Sequence, residues 1–309
     1  MAEVDYTHRL DKVMTEKEAV ETFLPDGSSF TMGGFAFSRK PISVLREMVR
    51  QRKKDLTYID TAIAFEPPML VAPGCIRKLQ IGYLVMRTGG FKVDETVMLA
   101  VKEGSLEIED YTQFHLAMGF LAASLDIPCM ATRSSLGTDF LKYNKTIKVV
   151  NDPFENKPLL LVPALKPDVG FFSVQRADRR GNAQVFGDIW ADDVKVRACK
   201  HLVVITEELV PPEVIYRYPT NTLIPSYCVD AVVELPFHCH SMSSYGCYHI
   251  DWPCLLSQML AFQTRDGVLK WLDEWVYGTK DQFEYCDKVG WMNLMRLSKM
   301  EKSINRLPE

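Results

Sequence analysis

The sequence predicts an α/β fold, in which a mostly parallel β-sheet is flanked by helices and followed by a helical C-terminal region. Before residue 252, short β-branched runs alternate with helical patterns, which is typical of parallel sheets with crossover helices. From Trp252 onward, amphipathic helical patterns follow one another with short breaks. Pro and Gly are spread evenly and no long linker interrupts the chain, so we predict a single domain over residues 1–309.

The predicted elements follow from local signals. Thr15-x-x-Glu18 is a capping box that begins a short helix. A strand at Ser29–Met32 leads to two glycines, and Pro41 then opens a helix with an apolar face. The later predictions are strands Leu56–Ile59 and Lys78–Leu84, a nearly uncharged and mostly buried helix Tyr111–Leu125, buried strands Leu159–Val162 and Val169–Val174, a helix Ala191–Lys200, strands His201–Thr206 and Val229–Leu235, and four C-terminal helices separated near Arg265-Asp266-Gly267, Tyr277-Gly278 and Gly290.

Composition excludes several classes of protein. The 309 residues carry 36 Lys+Arg and 40 Asp+Glu, for a net charge of −4, with 47% apolar and 25% charged residues. These values exclude a disordered chain, a collagen-like repeat and a disulfide scaffold, and they argue against nucleic acid as a partner, which needs a basic face. No segment reaches the roughly 20 apolar residues of a membrane span.

The compartment is predicted from the N-terminus and the cysteines. The first twenty residues carry several charges and contain no apolar core of a signal peptide. Eight scattered cysteines form no Cys-x-x-Cys pair, which is typical of reduced thiols. We therefore predict a cytoplasmic protein.

The most informative stretch runs from Asp26 to Pro41, with the letters DGSSFTMGGFAFSRKP. Glycines between a strand and a helix let the backbone approach a ligand, and their N–H groups can point at an anion or an oxyanion. The spacing matches neither a Walker loop nor a G-x-G-x-x-G fingerprint. A purely structural strand-to-helix turn remains open as the alternative.

This stretch resembles the signature near the N-terminus of the A (alpha) subunit of class I CoA-transferases. The chain keeps Asp26, Gly27, Gly33, Gly34, Phe35 and Pro41 of that signature, and departs from it at Thr31 and Arg39. The motifs Glu107-Ile108 with Gln113 and Leu116-Ala117, Ala177-Asp178 with Gly181-Asn182, and Glu207-Glu208 resemble those of the family, in the family's order. The glutaconate CoA-transferase type in particular is indicated by Gly33-Gly34-Phe35 followed by Arg39-Lys40-Pro41, by Ile224-Pro225, by Cys228–Val233, and by Tyr245-Gly246 with Tyr248.

The resemblance implies a CoA-transferase-like fold and a CoA thioester as substrate, with no tightly bound cofactor. In this family the thioester is attacked by a glutamate of the B (beta) subunit, which is covalent catalysis. Neither Glu103-Gly104 nor Glu66-Pro67-Pro68 fits that nucleophile. The chain is thus expected to need a beta subunit, in a heterodimer or a larger assembly such as alpha2beta2.

The candidate site residues are few. Gln113 is the candidate for oxyanion or substrate contact, with a helix-capping amide as the structural alternative. The candidates for substrate binding are Gly33, Gly34, Phe35, Ser38, Arg39, Lys40 and Arg133, since arginine pairs with carboxylates. The wider basic stretch from Arg39 to Lys54 is expected to form a solvated helix face or to meet CoA phosphates.

Two alternatives to the transferase stay open, and no metal site is predicted. One alternative is the alpha subunit of a related CoA-thioester ring-cleaving hydrolase, which Arg133 favours and Gln113 disfavours. The other is a non-catalytic CoA-binding subunit. His238-Cys239-His240 with Cys247 and His249 offers zinc-ligand residue types, but the spacing fits no standard zinc module.

Overall fold

The computed structural model describes residues 11–63, 66–84 and 94–308. The strands are β1 Ser29–Met32, β2 Leu56–Asp60, β3 Ile76–Ile81, β4 Glu107–Asp110, β5 Cys129–Thr132, β6 Lys148–Asn151, β7 Pro158–Pro163, β8 Val169–Ala177, β9 Ala183–Gln184, β10 His201–Leu209, β11 Thr222–Ile224 and β12 Ala231–Glu234. The α-helices are α1 Glu16–Phe23, α2 Ile42–Arg50, α3 Glu66–Val71, α4 Glu95–Lys102, α5 Gln113–Ser124, α6 Phe140–Tyr143, α7 Asp192–Ala198, α8 Pro212–Arg217, α9 Trp252–Ala261, α10 Arg265–Leu272, α11 Gln282–Val289 and α12 Trp291–Ile304.

The larger sheet confirms the predicted fold class. Within the described ranges it has nine strands, and its parallel part runs β12-β10-β8-β1-β2-β3-β4. Only the short strands β9 and β11 add antiparallel pairs beside the end of β8. Crossover helices connect the parallel strands, so the carboxyl ends of β1 to β4 meet at one edge of the sheet.

Helices cover both faces of this sheet. Alternate residues of a strand point to opposite faces, as Tyr58 and Ile59 of β2 show. Tyr58 packs into a core shared with α1 to α4. Ile59 packs on the other face with Leu116 and Phe120 of α5. The sheet therefore holds α2 and α5 on opposite faces, with the start of each helix at the carboxyl edge.

A second sheet was not predicted. Strands β5, β7 and β6 form a three-stranded antiparallel sheet, joined in that order. The prediction of a strand at Leu159–Val162 is confirmed as part of β7, but only Leu160 and Val162 are buried there. All four residues of β6 are exposed.

Other boundaries differ from the prediction in informative ways. The strand expected at Lys78–Leu84 is β3 and ends at Ile81, which leaves Gly82 beyond the sheet. Helix α5 is buried over much of its surface, yet Phe114 is 53% exposed. The motif residues Glu107 and Ile108 belong to a polar edge strand, β4.

The C-terminal helices confirm the predicted helical region and pack on the rest of the chain through a buried arginine. Arg46 of α2 is 1% exposed, which contradicts the expectation of a solvated basic face. Its guanidinium carbon lies 3.7 Å from the ring centre of Tyr285, and Nη2 donates to Gln282 at 2.6 Å. No helix in the described part of the chain is long and apolar enough to cross a membrane.

Candidate functional site

The candidate site lies at the carboxyl edge of β1 to β4. The register places Ile81 beside both Asp60 and Asp110, so β2, β3 and β4 end level with one another. The glycines after β1 and Gln113 after β4 thus lie at the same edge, separated by three strand spacings, or about 14 Å. Ligands of open parallel sheets bind at this edge.

The glycine loop is a closed turn whose backbone donors are already bonded. Gly33 N–H donates to the carbonyl of Phe171 at 2.9 Å. Gly34 N–H donates to both carboxylate oxygens of Asp192, at 3.1 and 3.2 Å. Phe35 and Ser38 exchange two backbone hydrogen bonds of 2.9 Å. In this conformation both predicted glycine donors bind acceptors of the chain itself, and their role toward substrate stays a prediction.

Arg39 is buried under the same loop. Its guanidinium forms an ion pair of 2.8 Å with Asp192, donates to the carbonyl of Ser173 at 3.1 Å, and also donates to the carbonyl of Asp188. The side-chain exposure of Arg39 is 1%. The hydroxyl of Ser38 also donates to Asp188, at 2.8 Å. Arg39 and Ser38 together therefore attach the glycine loop to the segment at residues 188–192.

Lys40 is also buried, in a cluster of charges beneath the sheet edge. Its ammonium group pairs with the carboxylate of Asp60, which Lys195 also contacts. Burial by itself would raise the pKa of Asp60, but the two lysines hold it below its ordinary value. Lys195 donates to the carbonyl of Met32 at 3.0 Å, so the cluster joins α7 to the end of β1. The expectation of a solvated helix face was therefore wrong for Lys40, as it was for Arg46.

Gln113 is the first residue of α5, and its side-chain amide forms no hydrogen bond with the described residues. Thr112 is the N-cap, and its hydroxyl accepts from the N–H of His115 at 3.0 Å. The helix is therefore capped by Thr112 and not by the side-chain amide of Gln113. Within residues 11–63, 66–84 and 94–308, the amide of Gln113 has no hydrogen-bond partner, although the residue is half-buried. A Cβ on Gly82 would lie 2.7 Å from the backbone nitrogen of Gln113.

Arg133 lies on the loop after β5, near the same end of α5. The ring nitrogen Nε2 of His115 lies 3.3 Å from the carbonyl oxygen of Ser134. The guanidinium of Arg133 is directed to Asp152 at 3.3 Å and Glu155 at 3.1 Å, and the side chain is 57% exposed. The structure brings this loop to the first turn of α5, while a contact of Arg133 with substrate stays a prediction.

Three residues of this edge were not predicted from the sequence. Thr61 follows β2 and Gly82 follows β3, so correctly placed strand ends would have indicated both. Trp190 precedes α7, and its indole N–H donates to the hydroxyl of Thr61 at 3.2 Å. No local pattern around Trp190 indicates this position, because the contact joins residues 129 positions apart.

Neither glutamate considered as a nucleophile sits at a strand end. Glu103 is the C-cap of α4 and forms an exposed ion pair with Arg265 at 2.9 Å. Glu66 begins α3, is fully buried, and lies 3.9 Å from Lys40 Nζ. That neither residue attacks a thioester stays a prediction.

The histidine and cysteine residues after β12 take part in buried hydrogen bonds. His238 lies within reach of the carbonyl of Leu235 at 2.8 Å and the hydroxyl of Ser173 at 2.6 Å. Burial opposes its charge, but Cys239 and Glu207 raise the pKa of His238 to about 10. Glu207, His238 and Cys239 are close enough to hold an ion. Since protein groups already occupy both ring nitrogens, the absence of a metal role stays our prediction.

Two cavities lie away from the glycine loop. One, of about 680 Å³, is lined by Gln175, Arg176, Glu207 and the end of α12. The other, of about 690 Å³, lies between α1, β12 and α11. Neither includes Gly34 or Gln113. Neither of these two cavities therefore marks the candidate site, which lies at the sheet edge.

Comparison with known proteins decides the family. The coenzyme A transferase family model matches residues 13–235, which contain the glycine loop, Gln113 and the whole larger sheet. The chain belongs to the coenzyme A transferase family. The C-terminal helices α9 to α12 lie after the matched residues.

Two relatives of known activity support this assignment over most of their length. The chain is 30% identical to the A subunit of the glutaconate CoA-transferase of Acidaminococcus fermentans, over 93% of this chain and 95% of that protein. It is 30% identical to the A subunit of the 3-oxoadipate CoA-transferase of Pseudomonas knackmussii, over 90% of this chain and 98% of that protein. The crystal structure of the Acidaminococcus fermentans glutaconate enzyme superposes with a TM-score of 0.86 at 28% identity, covering 93% and 95% of the two chains.

More distant similarity extends to a hydrolase. The cholesterol ring-cleaving hydrolase IpdA subunit of Rhodococcus jostii is 26% identical over 76% of this chain and 83% of that protein. An uncharacterized protein of Archaeoglobus fulgidus is 33% identical over 94% of this chain, but the chain spans only 65% of its length.

Proposed function

We propose that this chain is the alpha subunit of a heteromeric CoA-transferase, which moves CoA between an acyl-CoA and a (di)carboxylic acid. The reaction passes through a glutamyl-CoA thioester on a separate beta subunit, in a cytoplasmic heterodimer or a larger assembly such as alpha2beta2. Similarity to two proteins that are named as A subunits of CoA-transferases supports the partner. The eight free cysteines support a reducing compartment.

The chemistry divides between the two subunits. The beta-subunit glutamate attacks the thioester carbonyl, the C–S bond breaks, and an acyl anhydride forms as the CoA thiolate leaves. The thiolate then attacks the glutamyl carbonyl, which releases the first carboxylate and leaves the glutamyl-CoA thioester. The acceptor carboxylate repeats these steps in reverse. Each attack passes through a tetrahedral oxyanion that needs a hydrogen-bond donor.

The unpartnered amide of Gln113 is the observation that carries this proposal. A half-buried amide with no partner in the described residues retains two N–H donors for a ligand. It stands at the positive end of the twelve-residue helix α5, where a negative charge is stabilised. An oxyanion donor of this kind is worth about 2.7–4 kcal/mol of transition-state stabilisation.

The open sheet edge supports the division between subunits. The glycine loop, Thr61, Gly82 and Gln113 lie along one edge. Glu109, near the end of β4, is already bonded to Lys78, Gln80 and Tyr111. A second chain across this edge would supply the nucleophile and exclude water. Excluding water matters because the anhydride and the thioester both hydrolyse.

Co-purification of the native complex tests the proposal. The isolated chain is expected to show no CoA transfer, and activity is expected to appear when the partner is added. After incubation with acyl-CoA, borohydride should trap the glutamyl-CoA thioester on the partner. Robust transfer by the isolated chain, or trapping on this chain, would contradict the divided enzyme.

Replacement of Gln113 tests its role within that complex. In the Gln113→Ala variant we expect kcat to fall by about 10²–10³-fold while the affinity for CoA changes little, since the donor acts on the transition state. Phe114→Ala is the matched control, because its side chain is exposed on the same turn. An unchanged kcat in Gln113→Ala would remove Gln113 from the site.

A second candidate function is hydrolysis of a CoA-thioester ring substrate. The position of the Arg133 loop beside α5 and the similarity to the IpdA subunit favour it. Opening of the ring of a cyclic acyl-CoA, with the thioester intact and without an acceptor acid, would support the hydrolase, whereas a strict requirement for an acceptor acid supports the transferase.

A further inference from the structure

Trp190 combines a fixed position with an exposed ring. It lies between β9 and α7, and 52% of its surface is exposed at the carboxyl edge of the larger sheet. Its indole N–H donates to Thr61 Oγ1 at 3.2 Å, and its ring lies 4.7 Å from the ring of Phe35 between centroids. One side of the indole is held by the chain while the other meets solvent.

Both flanks of Trp190 are bound to the glycine loop. On one side, Asp188 accepts from the hydroxyl of Ser38 at 2.8 Å. On the other side, Asp192 accepts from Gly34 N–H and from the guanidinium of Arg39, at 2.8 Å for the latter. The segment at residues 188–192 and the glycine loop therefore form one rigid unit, and the position of the ring is set before any ligand arrives.

We infer that Trp190 is a specificity-determining residue whose exposed ring forms the wall against which the acyl chain of the thioester packs. The inference rests on the proposed function, because it places the acyl-CoA at this edge. A rigid aromatic ring gives a large apolar contact at little cost in conformational entropy. Ile189, which is 38% exposed, extends the same apolar surface. An acyl-CoA with a longer aliphatic chain should therefore bind more tightly than a short one.

Thioether analogues of the substrate test this inference without turnover, because their C–S–C linkage has no carbonyl to attack. Binding of S-methyl-CoA and S-butyl-CoA to the co-purified complex is measured by calorimetry. We expect Trp190→Ala to lower the affinity for S-butyl-CoA by about tenfold or more, and the affinity for S-methyl-CoA by less than about threefold. Trp190→Phe keeps an aromatic ring but loses the bond to Thr61, and should retain most of the preference for the butyl analogue.

Trp291→Ala is the matched control. Trp291 is likewise partly exposed, packs on a phenylalanine, Phe237, and donates its indole N–H to a side chain, but it lies on α12. The control should leave both affinities unchanged. Melting temperatures of all variants exclude misfolding as the cause.

The outcomes separate this inference from the proposed function. An unchanged preference for S-butyl-CoA in Trp190→Ala would overturn it. Loss of complex assembly with unchanged ligand preference would also overturn it, and would assign the ring to the interface with the partner. If the wild-type complex binds the analogues through Trp190 but transfers no CoA, the proposed function fails while the binding role of Trp190 stands.

Discussion

Gly34 is the residue of the glycine loop with the least room for a side chain. Its φ is +79°, and a Cβ would lie 2.3 Å from the carbonyl oxygen of Ser38. In Gly34→Ala we expect strain and a displaced loop, with a loss of about 3 kcal/mol or more in the free energy of unfolding. Urea denaturation measures the loss, and CoA transfer by the complex should fall with it.

Gly27 provides the control for backbone strain alone. Its φ is +83°, but nothing lies within 4 Å of a Cβ placed there. Gly27→Ala is therefore expected to cost only about 1–2 kcal/mol. Equal losses in the two variants would mean that contact with Ser38 is not what requires glycine at position 34.

Single residues also show which features of the site a sequence can predict. The glycine loop and Gln113 were identified from local motifs, and the structure places both at one sheet edge. The burial of Arg39 and Lys40 was not predicted, because their acidic partners lie 153 and 20 positions away. A run of basic residues predicts a solvated surface only when no acidic partner from a distant part of the sequence folds against it.

At the level of elements, the polar edge strand β4 is held by the carboxylate of Glu109. It accepts hydrogen bonds from Lys78 at 2.8 Å, Gln80 at 2.9 Å and Tyr111 at 2.9 Å, and also from Thr146. Burial opposes the charge, but these donors lower the pKa of Glu109 to about 2, from an ordinary 4.5. A lowered pKa means that the ionised carboxylate stabilises the fold above about pH 4.5 and that this contribution is lost as the pH falls toward 2.

Glu109→Gln should therefore destabilise the protein in a pH-dependent way. At pH 7 we expect a loss of about 1–2 kcal/mol after allowance for solvent screening. The difference in melting temperature between wild type and variant should shrink below about pH 4.5. Glu107→Gln, on the same strand but 62% exposed, should change stability far less. A constant difference from pH 7 to pH 3 would contradict the stabilising role of this carboxylate.

The elements that were predicted well share a clear hydrophobic pattern. Strands β1, β2, β8 and β10 are apolar runs, and the capping box correctly marked the start of α1. Strands β4 and β6 have polar or fully exposed residues, so hydrophobic periodicity could not find them. The small antiparallel sheet depends on pairing between β5 and β7 across some thirty residues, which a local pattern does not encode.

In the whole molecule, buried charges connect parts that the hydrophobic cores leave separate. Lys195 of α7 and Lys40, which lies just before α2, meet at Asp60, which ties segments from opposite faces of the sheet to the end of β2. Buried ion pairs contribute little net stability but penalise any arrangement that leaves one charge unpaired. They favour a single geometry of the sheet edge, which the proposed completion of the site by a partner chain would require.

Arg46 is the buried charge that connects the C-terminal helices to the rest of the chain. It links α2 to α11 through Gln282 and the ring of Tyr285, and donates to the carbonyl of His240 at 3.2 Å. Arg46→Met keeps much of the volume but leaves buried acceptors unpaired, so we expect a loss of about 2–4 kcal/mol. Faster hydrogen exchange in α11 should accompany the loss, because the helix would open without its tie to α2.

Arg52→Met is the control for this substitution. Arg52 is exposed and its guanidinium carbon lies 5.9 Å from the ring centre of Tyr277, so stability should be unchanged within error. If Arg46→Met lowered global stability without faster exchange in α11, the arginine would serve the core of α2 rather than the attachment of the C-terminal helices. Exchange confined to α11 and α12 would instead mean that these helices open as a unit while the sheet edge stays folded.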